Sequence, residues 1–256
     1  VTFDQNGEFW HNILSSQPKE QAMHRTSGLI FVSLFSAGFL LSSCEGFNFD
    51  DLTNTLTEEE VAAGLKEALN VGTDTAVSLG SAVDGYLLNP EIKIPFPEEV
   101  IIVKTVVEAV PGGSILVEEF ITQLNRAAED AADKATPIFK DAILAMTITD
   151  AFNILNGADT AATNYLRVNT FSSLYSEFKP DIEASLDAVG AQGAWEAVID
   201  VYNTIPFTDD VSADLADYTT NKGLNGLFVL VGDEEEKIRN DVEHQVTDLL
   251  QKVFGN

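Results

Sequence analysis

Apolar residues recur with the period of an amphipathic helix from Thr57 almost to the end of the chain. Thr57 and Glu60 have the spacing of a capping box, and Val61, Leu65, Leu69, Ala76 and Leu79 continue on one face, which predicts a first helix. Residues 89–97, NPEIKIPFP, cannot be helical, because each proline lacks a backbone donor and pushes its predecessor out of helical geometry. One short extended segment is expected there. Pro97 opens the next helix, with Glu98 and Glu99 at its positive end, and Pro111, Gly112 and Gly113 close it. Further helices are predicted over 114–133, 136–156, 158–178, 181–203, 211–231 and 233–254, with stops at Gly157, Pro180, Pro206, Gly232 and Gly255. The last takes Asp233 as its cap, with Glu236 three residues on and an apolar stripe of Ile238, Val242, Val246, Leu249 and Val253. The expected fold class is all-α, a single multi-helix domain of about seven or eight helices over residues 57–256.

Ahead of this domain the pattern changes. Met23, His24 and Arg25 begin a short basic segment, and residues 28–41 form a mostly apolar run. That run suits the core of a signal peptide and falls short of the ~20 residues needed to span a bilayer. It ends in Leu41, Ser42, Ser43 and Cys44, which resembles the bacterial lipobox: an aliphatic residue and two small residues before a cysteine. The resemblance implies a diacylglyceryl thioether on Cys44, cleavage before it and an acylated new amino terminus. The rival reading is an incidental cysteine after an ordinary signal peptide. Residues 1–22 read as an over-extended or non-native N-terminal segment, 23–43 as a lipoprotein signal peptide and 44–56 as a lipidated tether. The expected partner is the membrane, reached through lipid on Cys44. The expected location is the bacterial cell envelope, at the outer membrane facing the periplasm, with exposure at the cell surface as the alternative.

Composition narrows the classes further. The formal charge of −27 and sequence pI near 4.1 argue against nucleic acid, whose binding needs clustered Lys and Arg to displace counterions. With 45% hydrophobic residues the chain can bury a real core. One cysteine cannot form an internal disulfide, so export is argued from the leader alone.

Several stretches together resemble a bacterial envelope family catalogued as domain of unknown function 4197. They are LTEEEVAAGLKEAL at 56–69, NPEIKIPFPEE at 89–99, the long stretch LNRAAEDAADKATPIFKDAILAMTITDAFNILNGADTAATNYLRVNT at 124–170, GLNGLFVLVGDEEEKIRND at 223–241 and LLQKVFG at 249–255. The resemblance implies an exported, helical, often lipidated protein and transfers no catalytic residue.

Candidate chemistry centres on a helix pair. Phe139, Ile143 and Met146 form a stripe that Asp150 continues, so Asp150 is expected to face the core, where an ionised carboxylate needs a partner. Arg167 heads a second stripe with Phe171, Leu174 and Phe178, and a buried Asp150–Arg167 ion pair is expected, with Arg126 as the rival partner. A structural role for that pair is favoured over an acid–base one, because no second catalytic group is identifiable. Asn125 and Glu129, with Arg126 and Asp130, fall on the polar side of their helix. A solvated face is favoured there over a polar network covered by a further helix. Thr163 and Tyr165 are candidates for lining a pocket.

No cofactor and no metal are expected. His244 stands alone beyond the leader, and Asp233 to Glu236 read as helix-start charges rather than a Ca²⁺ site. The function expected from these observations is a non-catalytic binding or structural role. The alternatives are a carrier of an apolar ligand within the bundle and a cell-wall hydrolase using Asp150 and Glu129.

Overall fold

A computed structural model describes residues 56–206, 211, 213–245 and 247–254; Cys44 and the leader lie outside them. The described residues belong to one all-α domain with no strand among them. Helix α1 (Glu58–Ser81) starts where the sequence predicts. The Thr57 hydroxyl accepts from the Glu60 N–H at 3.2 Å, and the Glu60 carboxylate accepts from the Thr57 N–H at 2.8 Å. A non-helical connector then runs to a 3₁₀ turn at Glu98–Val100, followed by α2 (Ile101–Glu108) and α3 (Gly113–Ala131).

In the connector Ile92, Ile94 and Phe96 are buried while Glu91, Lys93 and Pro95 are exposed. This is the period-two alternation of an extended segment with one face in the core.

Three predicted boundaries are corrected. The expected helix 136–156 is two, α4 (Ala135–Ala145) and α5 (Ile148–Leu155), because Met146 and Thr147 leave helical geometry and Thr147 caps α5. Conversely, the predicted stop at Pro180 lies inside α6 (Ala161–Ala188). A proline there removes one hydrogen bond, at a cost of about 3 kcal/mol. Leu174, Phe178, Ile182 and Leu186 carry the buried stripe straight through it and offset that cost.

After α7 (Ala191–Asn203), α8 (Leu215–Asn240) likewise runs through Gly232, so Asp233 is not a cap. Its buried face continues past that glycine with Glu234, Glu235 and Ile238. A 3₁₀ turn at Val242–His244 and α9 (Asp248–Phe254) complete the order.

Helix α8 packs on both α1 and α6, while α3 packs on α6 and α7. Close approach needs small residues: a Cβ on Gly226 would lie 2.8 Å from Tyr86 Cε1 and 3.0 Å from Ile92 Cβ. Rings fill the middle of the domain. Phe120 lies 5.3 Å from Phe96 and 5.1 Å from Trp195 between centroids, and Phe139 meets Phe228 edge-on at 5.8 Å.

Candidate functional site

Of the three buried glutamates among the described residues, Glu129, Glu234 and Glu235, two organise the polar interior. Glu129 on α3 accepts the N–H groups of Tyr86 and Leu87, each at 3.1 Å. Its other oxygen accepts from Arg126 at 2.6 Å, and Arg126 reaches Asp84 with its second nitrogen, also at 2.6 Å. Asp84 takes a left-handed φ of 68°, a conformation L side chains rarely adopt, within the turn this cluster fixes.

One helical turn earlier, Asn125 treats the connector as a strand partner would. It accepts from Ile94 N–H at 2.8 Å and donates to Ile94 carbonyl at 2.9 Å. Tyr86 donates through the core to the Gly223 carbonyl at 2.7 Å. Burial, with Glu129 nearby, raises the Tyr86 hydroxyl well above its ordinary value.

The second carboxylate is Glu235 on α8. It accepts the N–H groups of Ala162 and Thr163 at 3.0 and 2.8 Å and the Thr163 hydroxyl at 2.7 Å. Helix α6 has no side-chain cap of its own at Thr160, so Glu235 supplies the acceptor and a negative charge at its positive end. Arg239 completes the unit, donating to Glu235 at 2.8 Å and to the Ile154 carbonyl near the end of α5 at 3.0 Å.

Of the residues the sequence grouped, the structure thus brings together Arg126, Glu129 and Asn125. The favoured solvated face is corrected: Asn125 and Glu129 are buried, and their cover is the non-helical connector rather than a further helix. The expected Asp150–Arg167 pair does not form. Asp150 is the third residue of α5, bonded to Thr147 N–H at 3.0 Å and to its hydroxyl at 2.7 Å. Those bonds hold its carboxyl below the ordinary aspartate value. Arg167 instead donates to Asn225 Oδ1 at 2.7 Å and lies 4.5 Å over the Phe228 ring. Thr163 is spent on Glu235, and Tyr165 is half-buried with its hydroxyl raised by desolvation and, second, by Asp150.

Sequence reasoning missed Glu235 and Arg239. Their spacing of four along α8 was visible, but their partners lie 72 to 85 residues away.

Two openings accompany these clusters. A surface groove of about 370 Å³ runs between the 98–99 turn and the start of α8, lined by Glu98, Glu99, Asp214, Asp217, Tyr218 and Lys222, among others. Lys222 pairs with Glu98 at 3.2 Å, and Lys179 reaches Asp214 at 3.3 Å. Tyr175 donates to Asp217. Burial, with Glu98 and Glu99 adding to it, pushes the Tyr218 hydroxyl up to about 12. The groove carboxylates Glu98 and Asp214 therefore already hold cationic partners. An apolar crevice bordered by Leu65, Leu69, Ile238 and Phe254 holds only about 20 Å³, which leaves no room for an acyl chain.

Among the described residues, no group of three or more His, Cys, Asp and Glu side chains is placed to hold a metal ion. No described helix is long and apolar enough to cross a membrane.

These features define an all-α domain whose buried carboxylates serve as hydrogen-bond hubs between its segments. A family model described as "Protein of unknown function (DUF4197)" matches residues 55–255, and the chain belongs to that family. No curated protein matches the chain. No solved structure matches it either.

Proposed function

We propose that the chain is a lipid-anchored domain of the bacterial cell envelope with a non-catalytic role in binding or support. The observation that carries the non-catalytic part is the engagement of Glu129 and Glu235 by the backbone; the third buried glutamate, Glu234, pairs with Lys237 at 2.7 Å. Glu129 and Glu235 each accept two backbone N–H groups and an arginine. Each carboxylate is committed to backbone donors and an arginine of the fold, which supports a role in joining segments over one in acid–base chemistry. Asp150, the other carboxylate considered for a hydrolase, is bound to its own helix start.

The anchor rests on the lipobox-like Leu41-Ser42-Ser43-Cys44 behind an apolar run. Several acyl chains together hold a protein stably to a bilayer, since each buried methylene contributes about 0.8 kcal/mol. Between Cys44 and Thr57 the chain is long enough to let the folded domain stand clear of the lipid surface.

Intact-mass analysis of natively produced protein tests the anchor. The expected mature species begins at Cys44 and carries the mass of a diacylglyceryl group and an N-acyl chain. An unmodified thiol with residues 23–43 still attached would overturn the proposal.

A further inference from the structure

The acidic coat of this protein has a gap. The chain holds 41 Asp and Glu residues, yet none lies between 160 and 176, over the first half of α6, and none between 218 and 232 on α8. These two stretches face each other. Helices α6 and α8 pack along their length, with Thr163 against Glu235 at one end and Tyr175 against Asp217 at the other. The gap is therefore one continuous two-helix face. Asp150, which acts on Tyr165, flanks it, and so do Asp217 and Glu98, which hold Tyr175 and Lys222.

In the middle of this face stands Arg167. Arg126 and Arg239 are both paired with carboxylates, at 2.6 and 2.8 Å, whereas Arg167 forms no ion pair among the described residues. It is nonetheless held in place. Its guanidinium lies 4.5 Å over Phe228 and 6.0 Å from Phe171, and one nitrogen donates to Asn225. Asn225 uses one N–H in a bond at the surface, and no carboxylate among the described residues takes the other guanidinium donors. Two aliphatic side chains of the same two helices are in the open: Val168, next to Arg167 in the sequence of α6, is 84% exposed, and Val229, one turn beyond Asn225, is 38% exposed.

We infer that this face docks another polypeptide, which presents one carboxylate to Arg167 between apolar groups that cover Val168 and Val229. The complementarity is that of protein interfaces, where cores are poor in charge and a preorganised arginine acts as an anchor. A fixed guanidinium edge matches the two oxygens of a carboxylate, whether from Asp, Glu or a chain terminus. A second copy of this chain is the wrong occupant, because two bodies with so large an excess of Asp and Glu over Lys and Arg repel as wholes. The inference deepens the binding role proposed above and does not use the lipid anchor.

The test is a titration of the full chain in solution with acetyl-Val-Asp-Val-amide and with its Asn counterpart. It is read by NMR at the Arg167 Nε–H and the Asn225 side-chain amide. The Asp peptide is expected to give a saturating shift at both groups, with the Asn peptide weaker by about tenfold, the loss expected for one charge-assisted hydrogen bond. Arg167→Lys keeps the charge but loses the fork and weakens binding several-fold. Val168→Asp, at an exposed site that leaves the fold intact, replaces an apolar contact of the docking face with a charge that repels the peptide carboxylate and also weakens binding.

Equal shifts from the two peptides would overturn the inference. So would a linear response without saturation, or binding unchanged by Val168→Asp. A shift of Arg167 with phosphatidylglycerol vesicles but not with the Asp peptide would assign the face to lipid and refute a polypeptide partner. None of these results bears on the mass of the mature amino terminus, so the anchor and the docking face fail separately.

Discussion

Replacing Glu129 separates two things one carboxylate does. One oxygen accepts the Tyr86 and Leu87 N–H groups, and the other accepts Arg126. Glu129→Gln can keep its amide oxygen on the two backbone donors while its NH₂ faces the Arg126 guanidinium donor to donor, so it loses the ion pair with its hydrogen bond and keeps the backbone bonds. Glu129→Ala loses all three bonds and leaves two N–H groups in a buried place. Removing one partner of a buried, hydrogen-bonded charge pair costs about 3–5 kcal/mol. Arg126 is 29% exposed and retains Asp84, which puts the alanine variant at the lower end, about 3 kcal/mol. The glutamine variant should lose about 1–2 kcal/mol. In a domain of this size each kcal/mol moves the melting temperature by about 2–4 °C, so the alanine variant should melt roughly 6–12 °C lower.

Urea unfolding gives the free energies, and amide hydrogen exchange gives the location. Tyr86 and Leu87 should exchange faster in the alanine variant and stay protected in the glutamine one. An alanine variant within 1 kcal/mol of the parent would refute the reading of Glu129 as the clasp of the connector. So would equal losses for the two variants with unchanged exchange at Tyr86.

Two pH dependences follow from the same geometry. Asp150 has a folded pKa below its unfolded value, so its contribution is present above the ordinary aspartate range and disappears as pH falls through the folded pKa. Asp150→Asn should flatten the acid limb of the stability profile and leave Arg167 undisturbed, and an altered Arg167 Nε–H signal in that variant would contradict the surface placement. Tyr86 is the opposite case. Its folded pKa is raised, so its stabilisation is complete below the ordinary tyrosine value and is lost as pH climbs above it. Tyr86→Phe should lower stability at neutral pH by about 0.5–1.5 kcal/mol, the net value of one hydrogen bond to a Gly223 carbonyl that still serves its own helix, and should shrink the alkaline fall. An unchanged alkaline limb would count against it.

What could be read from the sequence was local. The cap of α1 needs only Thr57 and Glu60, three residues apart, and the proline run 89–97 excludes helix by itself. The Thr147–Asp150 cap was equally local, yet Phe139, Ile143 and Met146 formed a stripe that Asp150 continued. That stripe masked the break and led to the expected buried pair with Arg167.

Helical-wheel geometry failed at Asn125 and Glu129 for a different reason. A wheel shows which side of a helix is polar but not what covers it, and here the cover is an irregular segment making backbone hydrogen bonds to those polar groups. Glu235 and Arg239 were illegible because their work is the capping of α6 and the end of α5, and no local pattern in 233–240 specifies either partner.

The Tyr86 hydroxyl closes on a carbonyl 137 residues downstream. During synthesis the irregular stretch meets its partners on α3 first, through Asn125, Glu129 and Phe120, and the hydroxyl of its aromatic anchor gains its final acceptor only when the penultimate helix emerges. An all-helical protein ordinarily folds on local contacts and quickly. This one completes its packing only with its late segment, so removing α8 would strip cover from α1, α6 and the connector together.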